Sequence, residues 1–416
     1  MVALASGGAK QGAAKNGESG EDGMEQRDFD VCVCGGGIAG IAAALASARS
    51  GAKTVLLEKE YALGGLATLG LIVIYLALDD GDGTLMSTGI PEELLKLSYK
   101  YAPVTRLPDE WRHDAPEEAR AGKRYETEYS PAAMILACEE LLLGEGVTIF
   151  YDARILGAEA SEGRVRAVTV ATKTGTTEFR AKAFVDCTGD ADVCYFAGEP
   201  TVDDPKNVRT GWHYTYDGSK LKLRGLTDPL WGKLPETSRY YSGTTLEDIS
   251  ANVIDMRRFV LQHLEKVRET EPDAYPFLIP SYHGLRMTRR LKAPGVEFSE
   301  KEHERVWFEN AIGMIGNWKR LHMRYSLPFT MIHASVNDNL YAAGRCAAAE
   351  KSGEQSGWDL TRVIPSCAVT GQAAGTAAAM QAASGSVPEI GALQDRLRAD
   401  GVRLDPSLFT RTLKGE

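Results

Sequence analysis

Two histidines, a run of arginines and a glycine-rich turn are the places where reactive residue types stand in a suggestive spacing. His213 lies in Trp212-His213-Tyr214-Thr215-Tyr216, and His333 follows the Phe329-Thr330-Met331 segment by two residues. An imidazole titrates near neutral pH, so either ring is suited to moving a proton. A packed or surface histidine is the plainer alternative for each. Arg286, Arg289 and Arg290 belong to one short segment beginning at Gly284. On a strand, Arg286 and Arg290 would share a face while Arg289 points away. A guanidinium there can clamp a carboxylate or polarise a carbonyl. It can equally sit in an ion pair with Glu297 or Glu302.

Seven cysteines stand at 32, 34, 138, 187, 194, 346 and 367. None forms a C-x-x-C pair and none has metal-ligand spacing with histidine, so no metal is expected. Cys32 and Cys34 share one face of an apolar strand and read as small buried hydrophobes. Unpaired thiols point to a reducing compartment, the cytoplasm.

The strongest signal is at the start of the chain. Phe29 to Cys34 is a short β-rich run that reads as a buried strand. It leads directly into Gly35-Gly36-Gly37-Ile38-Ala39-Gly40, then an Ala-rich helix to Ser50, then a second strand from Lys53 to Leu57 tipped by Glu58. In such a unit Gly35 permits the tight turn, Gly37 lets backbone amides approach a pyrophosphate, and Gly40 lets helix and strand pack closely. The helix N-terminus attracts the diphosphate, and the acid at the strand tip accepts from ribose hydroxyls. Strand, turn, helix, strand and acid in this order predict a bound dinucleotide, without deciding between NAD and FAD.

After Glu58 come Lys59 and Glu60, and then Leu63-Gly64-Gly65-Leu66-Ala67-Thr68. Here the chain resembles the FAD-dependent oxidoreductases of the glutathione-reductase superfamily, in their fumarate-reductase-like branch. Val185-Asp186-Cys187-Thr188-Gly189-Asp190 resembles a second FAD motif. Asn339 to Arg345 and Arg362 to Gly375 resemble the C-terminal flavin motif. The likeness runs from about residue 28 to 405 and is weakest between 205 and 325. It implies FAD held by Gly35, Gly37, Ile38, Ala39, Gly40, Glu58, Lys59, Gly64, Gly65, Thr68, Ile155, Thr188, Gly189, Asp190, Gly344, Arg345, Gly371, Gln372 and Ala374. Some relatives tether FAD through a histidine near the Gly-Gly loop. Residues 64 to 78 contain none, which implies a non-covalent flavin. The family often reads Ile-Pro-Tyr-Arg where this chain has Leu327-Pro328-Phe329-Thr330, so its site is expected to differ. If the family geometry holds, His333 approaches the flavin, and His213, His333 and Arg286 are the candidate catalytic groups.

The elements that must position these residues fit a chain of 416 residues with more than one domain. The expected fold is α/β: a Rossmann-type FAD-binding domain with an inserted β-meander and an α+β substrate (cap) domain. Residues 1–27 read as a flexible tail, and 28–204 as the first part of the FAD domain. Residues 205–333 read as the cap, 334–385 as the rest of the FAD domain, and 386–416 as a closing helix and tail. Ser130 is placed as the N-cap of a helix beginning at Pro131. Ala153–Ala158, Arg164–Ala171 and Thr176–Ala181 alternate as the meander, and an amphipathic helix is placed over Leu246–Thr270. The net charge of -10 argues against nucleic acid. The apolar stretch from Gly64 to Leu78 falls short of the about 20 residues a membrane span needs. The expected activity is hydride transfer between flavin N5 and a polar small molecule at a hydroxyl, carbonyl or C=C centre, with an unknown electron acceptor or donor. A flavin-dependent monooxygenase and a flavoprotein subunit of a larger redox complex are the alternatives. A disulfide reductase is excluded, because the redox cysteine pair is missing.

Overall fold

In the computed structural model the described residues are 25–205, 211–226, 239–281, 289–295, 297–351 and 356–414. Val31, Cys32 and Val33 are fully buried in β1 (Glu25–Cys34), as an apolar run covered on both faces should be. The glycine turn then enters α1 (Ile38–Arg49), whose alanines combine the highest helix propensity with a thin profile. The chain returns as β2 (Thr54–Leu57). Ser130 caps α2 (Pro131–Gly144) by accepting from the Ala133 amide at 3.3 Å, with Pro131 in the first turn where it loses no bond. The next strand, β3 (Thr148–Phe150), pairs in parallel with β2.

The meander forms as β4 (Arg154–Ser161), β5 (Arg164–Thr172) and β6 (Gly175–Asp186). Its third strand is longer than the alternating pattern suggests. The segment placed separately before Thr188 is the same strand continued. β6 stays extended because β1 pairs with it in parallel over nearly its whole length. Its first half also pairs with β5, and its last three residues pair with β10, introduced below. The main sheet thus has the order β3-β2-β1-β6-β5-β4.

Between β6 and the last sheet strand lies the region expected to be the cap. β7 (Trp212–Tyr216), β8 (Leu221–Gly225) and β9 (Tyr275–Leu278) form a three-stranded antiparallel sheet with β7 in the middle. The amphipathic helix α3 (Leu246–Arg268) ends two residues before the expected Thr270, and Thr245 caps it by accepting from the Asp248 amide. Leu226, Met256 and Val260 form a small core of their own here, separate from the main cluster. The chain re-enters the main sheet as β10 (Leu340–Ala342) and then runs into α4 (Ile364–Ser384). Helices α1 and α4 cross so closely that a Cβ on Gly371 or Gly375 would lie 2.2 Å from the Ala39 oxygen or 2.1 Å from the Ala43 oxygen. Only glycine allows that approach.

Candidate active site

Register brings the carboxyl ends of five parallel strands to one level. Cys34 pairs with Leu57 and Asp186, Leu57 with Phe150, and Asp186 with Ala342. Ligands of open α/β sheets sit just beyond such a row, and the residues that follow it are those of the glycine motifs.

Gly35 turns the chain at φ +106, and its amide donates to the Leu57 oxygen at 2.7 Å. The Gly36 amide donates to Glu58 Oε2 at 2.6 Å, and Glu60 donates to Oε1 at 2.8 Å. Burial raises the Glu58 pKa, against the lowering effect of these two amides. Gly37 is the N-cap of α1, and the position a Cβ would take there meets nothing within 4 Å. The first-turn amides of α1 have no acceptor within the helix, so they present donors to that open space. The second glycine loop docks on the first: the Gly64 amide donates to the Gly36 oxygen at 2.8 Å. Thr68 is buried, and its hydroxyl donates to the Leu63 oxygen at 2.6 Å, so it shapes this loop from within. Lys59 is exposed at the rim. The half-buried Ile155 follows Ala153, whose amide donates to the Glu58 oxygen.

The second motif is organised by Asp186. Its Oδ1 accepts from the Thr188 amide and hydroxyl, and Oδ2 accepts from the Cys194 amide. The amides of Gly189 and Ala191 point at Cys346 Sγ, at 3.1 and 3.2 Å. Arg345 lies across Gly189, with its NH2 atom 2.4 Å from where a Cβ would be. Asp190 Oδ1 is buried and accepts no hydrogen bond among the described residues; Arg345 is 4.0 Å away. Gly344 donates to Thr370 Oγ1 at 2.9 Å, which locks the Gly344 turn to α4. Asp192, next to this motif, has its pKa raised to about 6 by burial, with Asp186 and Asp190 adding to the effect.

Gly35, Gly37, Ile38, Ala39, Gly40, Glu58, Gly64, Gly65, Thr188, Gly189, Asp190, Gly344, Arg345 and Gly371 are thus gathered on one side of the sheet. Gln372 turns elsewhere, its Oε1 accepting from the Ile90 amide at 2.9 Å, and Ala374 is fully buried in the helix packing. His213 is buried on β7 with Nε2 3.2 Å from His263 Nδ1 of α3, which puts it on the face turned toward that helix. His333 stacks on Phe329 and contacts the Tyr341 ring, with Nε2 3.0 Å from the Asp338 oxygen. Asp338 precedes β10, so His333 lies toward the amino end of that strand, away from the glycine turns. Arg286 lies outside the described residues. Arg289 reaches Asp203 at 3.1 Å and Asp192 at 3.4 Å and lies over Tyr195, while Arg290 is 3.5 Å from Glu297.

Lys351 carried no motif in the sequence. It follows the Gly344 turn, is ion-paired with Asp204 and lies over the Trp358 ring. Burial pulls its pKa down to about 8. Lysines give no periodic signal, so only the folded chain reveals such a group. All seven cysteines are free and buried. Among the described residues no group of three or more His, Cys, Asp or Glu is arranged to hold a metal, and no helix is long and apolar enough to cross a membrane.

The sheet, the glycine turn and the helix amides define a dinucleotide-binding enzyme of Rossmann type. The chain belongs to the FAD dependent oxidoreductase family, whose model matches residues 30–210 and 216–397; its cofactor is FAD. No curated protein matches it by sequence. Among solved structures, it is similar to a geranylgeranyl bacteriochlorophyll reductase-like protein from Thermoplasma acidophilum, at 14% identity and TM-score 0.45, covering 90% of this chain and 83% of that one. Mycobacterium smegmatis Sdh1, in complex with UQ1, matches at 13% identity and TM-score 0.47 over 90% and 73%. The 3-ketosteroid-Δ4-(5α)-dehydrogenase of Rhodococcus jostii RHA1 matches at 14% and TM-score 0.41 over 88% and 99%. The residues present fit FAD. An open donor-lined helix start at Gly37 suits its diphosphate, and the buried Asp190 oxygen, ion-paired with Arg345 at 4.0 Å but accepting no hydrogen bond among the described residues, leaves an acceptor for a hydroxyl.

Proposed function

We propose that this enzyme transfers a hydride between its flavin and a polar small molecule at a hydroxyl, carbonyl or C=C centre. The observation that carries this reading is the single row of strand ends, from which both glycine loops, Asp190 and Arg345 face one space. FAD supplies the two-electron chemistry; the chain supplies binding, orientation and proton handling. In this reading the α1 amides hold the diphosphate and Glu58 accepts from the ribose hydroxyls. The Gly64–Gly65 loop and the Gly344 turn flank the ring, and FAD is held without a covalent bond. Lys351, whose pKa burial lowers and whose ammonium is ion-paired with Asp204 beyond the Gly344 turn, is the candidate to handle the proton that accompanies the hydride. Residues 28–204 and 334–385 act as the cofactor domain and 205–333 as the substrate domain. The free thiols favour the cytoplasm, with a small-molecule substrate and a separate electron acceptor or donor as partners.

The test is anaerobic titration of the purified yellow protein with sugars, hydroxy acids, amino acids and NAD(P)H, following flavin absorbance. Bleaching by an organic substrate supports the reading. Bleaching by NAD(P)H alone turns it toward a reductase or monooxygenase, and a protein that takes up no FAD overturns it.

A further inference from the structure

Strand alternation splits β7 into two faces. His213 and Thr215 share the face that looks toward α3; His213 meets His263 of that helix, and Thr215 accepts from Nε of Arg224 on β8. Trp212, Tyr214 and Tyr216 are on the other side. Tyr214 is only 7% exposed, yet its hydroxyl has no hydrogen-bond partner among the described residues, and neither has the buried Trp212 Nε1. A buried polar group left unpaired is costly, so a phenol and an indole N–H on one face ask for a ligand. Their surroundings are largely apolar, with the Glu128 carboxylate near enough to Tyr214 to add to the effect of burial on its ionisation. Tyr214 is paired with Leu223 on β8 and Leu278 on β9, and both leucines are more than 40% exposed. Tyr216 is paired with Leu221 and Tyr275.

This cap sheet is tied to the second glycine loop. Ser281, just past β9, donates its amide and hydroxyl to the Leu69 oxygen at 3.1 and 3.2 Å. Tyr129, whose hydroxyl donates to the Ala67 oxygen at 2.7 Å, is close enough to Tyr214 for that phenol to help raise the Tyr129 pKa, after burial. Tyr214 therefore stands over the loop that the cofactor reading assigns to the flavin.

We propose that Tyr214, with Trp212 beside it, binds an oxygen of the substrate, and that the substrate is an apolar-framed molecule bearing a carbonyl or hydroxyl rather than a dicarboxylate or a sugar. This rests on the hydride-transfer reading and narrows it. Burial holds the Tyr214 phenol protonated up to about 12, so it is a donor at neutral pH.

The test uses the FAD-loaded protein and three probes: 2-cyclohexen-1-one, cyclohexene (the same frame without oxygen) and succinate. Perturbation of the flavin absorption band reports binding. Saturable binding of the enone is expected, with Tyr214→Phe weakening it about 3- to 10-fold, the size of one hydrogen bond. Cyclohexene binding should be the same in both proteins. Thr215→Val, on the opposite face, should leave enone binding unchanged. Because the hydroxyl bonds nothing in the fold, Tyr214→Phe should melt at or above the wild-type temperature. No enone binding, an unchanged enone Kd in Tyr214→Phe, tighter binding of succinate, or a lowered melting temperature would each overturn the assignment. Succinate binding accompanied by bleaching with a hydroxy acid would overturn it while leaving hydride transfer standing. Failure to load FAD would remove both.

Discussion

At the strand ends of the main sheet the decisive contacts involve the backbone, either with itself or with the carboxylates of Glu58 and Asp186. In the sheet of β7, β8 and β9 they are side chain to side chain. A Cβ on Gly40 would lie 1.8 Å from the Gly35 oxygen, and the Gly64 amide binds the Gly36 oxygen directly. On β7, by contrast, the arrangement turns on which way His213, Tyr214 and Trp212 point and on what α3 and the Gly64 loop bring against them. The first region tolerates few residue types at each position and therefore marks itself in any sequence. The second can be built from many combinations, because side-chain packing conserves volume and polarity more than identity. The two regions should accordingly respond differently to substitution.

The largest effect is expected in the backbone-built region. Gly40→Val drives side-chain atoms into the Gly35 carbonyl with no rotamer to relieve them. More than about 4 kcal/mol of stability should be lost, read as absence of soluble, yellow protein. Wild-type yield and colour would mean that the turn is more plastic than the contact implies. Glu58→Ala removes the acceptor of the Gly36 and Glu60 amides, and FAD affinity measured by flavin fluorescence should fall roughly 10- to 100-fold.

In the region held by side chains, Arg289→Met removes the bridge between Asp203 and Asp192. It should cost about 1–2 kcal/mol in denaturant unfolding, since both carboxylates remain partly in water, and it should leave the flavin spectrum unchanged. His213→Leu is expected to cost about 1–2 kcal/mol by breaking a buried hydrogen-bonded pair, with no change in the pH dependence of flavin reduction. A shifted pH profile would make His213 the proton carrier and blur the contrast between the two faces of β7.

The smallest effect is a matter of pH. The folded pKa of Asp192 is raised, to about 6 from 3.8, so the folded state holds the proton more tightly than the unfolded one. Stability from this residue is present below about pH 4 and is lost as pH rises toward 6. Asp192→Asn should flatten the melting temperature over that window; an unchanged slope would show that the neighbouring carboxylates carry the effect.

The sequence by itself determined the α/β class, the first strand–turn–helix–strand unit, the helix beginning at Pro131, the meander and the grouping of the glycine motifs. Each depends on contacts between near neighbours: alternation in strands, alanine in α1, a cap at Ser130, glycine where φ is positive. It carried the family likeness for the same reason, since the glycine motifs that bear that likeness are backbone constraints. Tertiary structure alone decided that the strand before Thr188 continues the meander, because β1 and β5 flank it together. It turned Gln372 toward Ile90, set His333 against Asp338 at the far end of β10, and laid Arg345 over Gly189. It also chose which face of β7 is covered. Within Trp212 to Tyr216 a strand pattern says only that neighbours diverge; the packing of α3 on one side set His213 against His263 and left Tyr214 on the opposite face. A one-residue alternation is local, but its direction is set by what lies across the sheet.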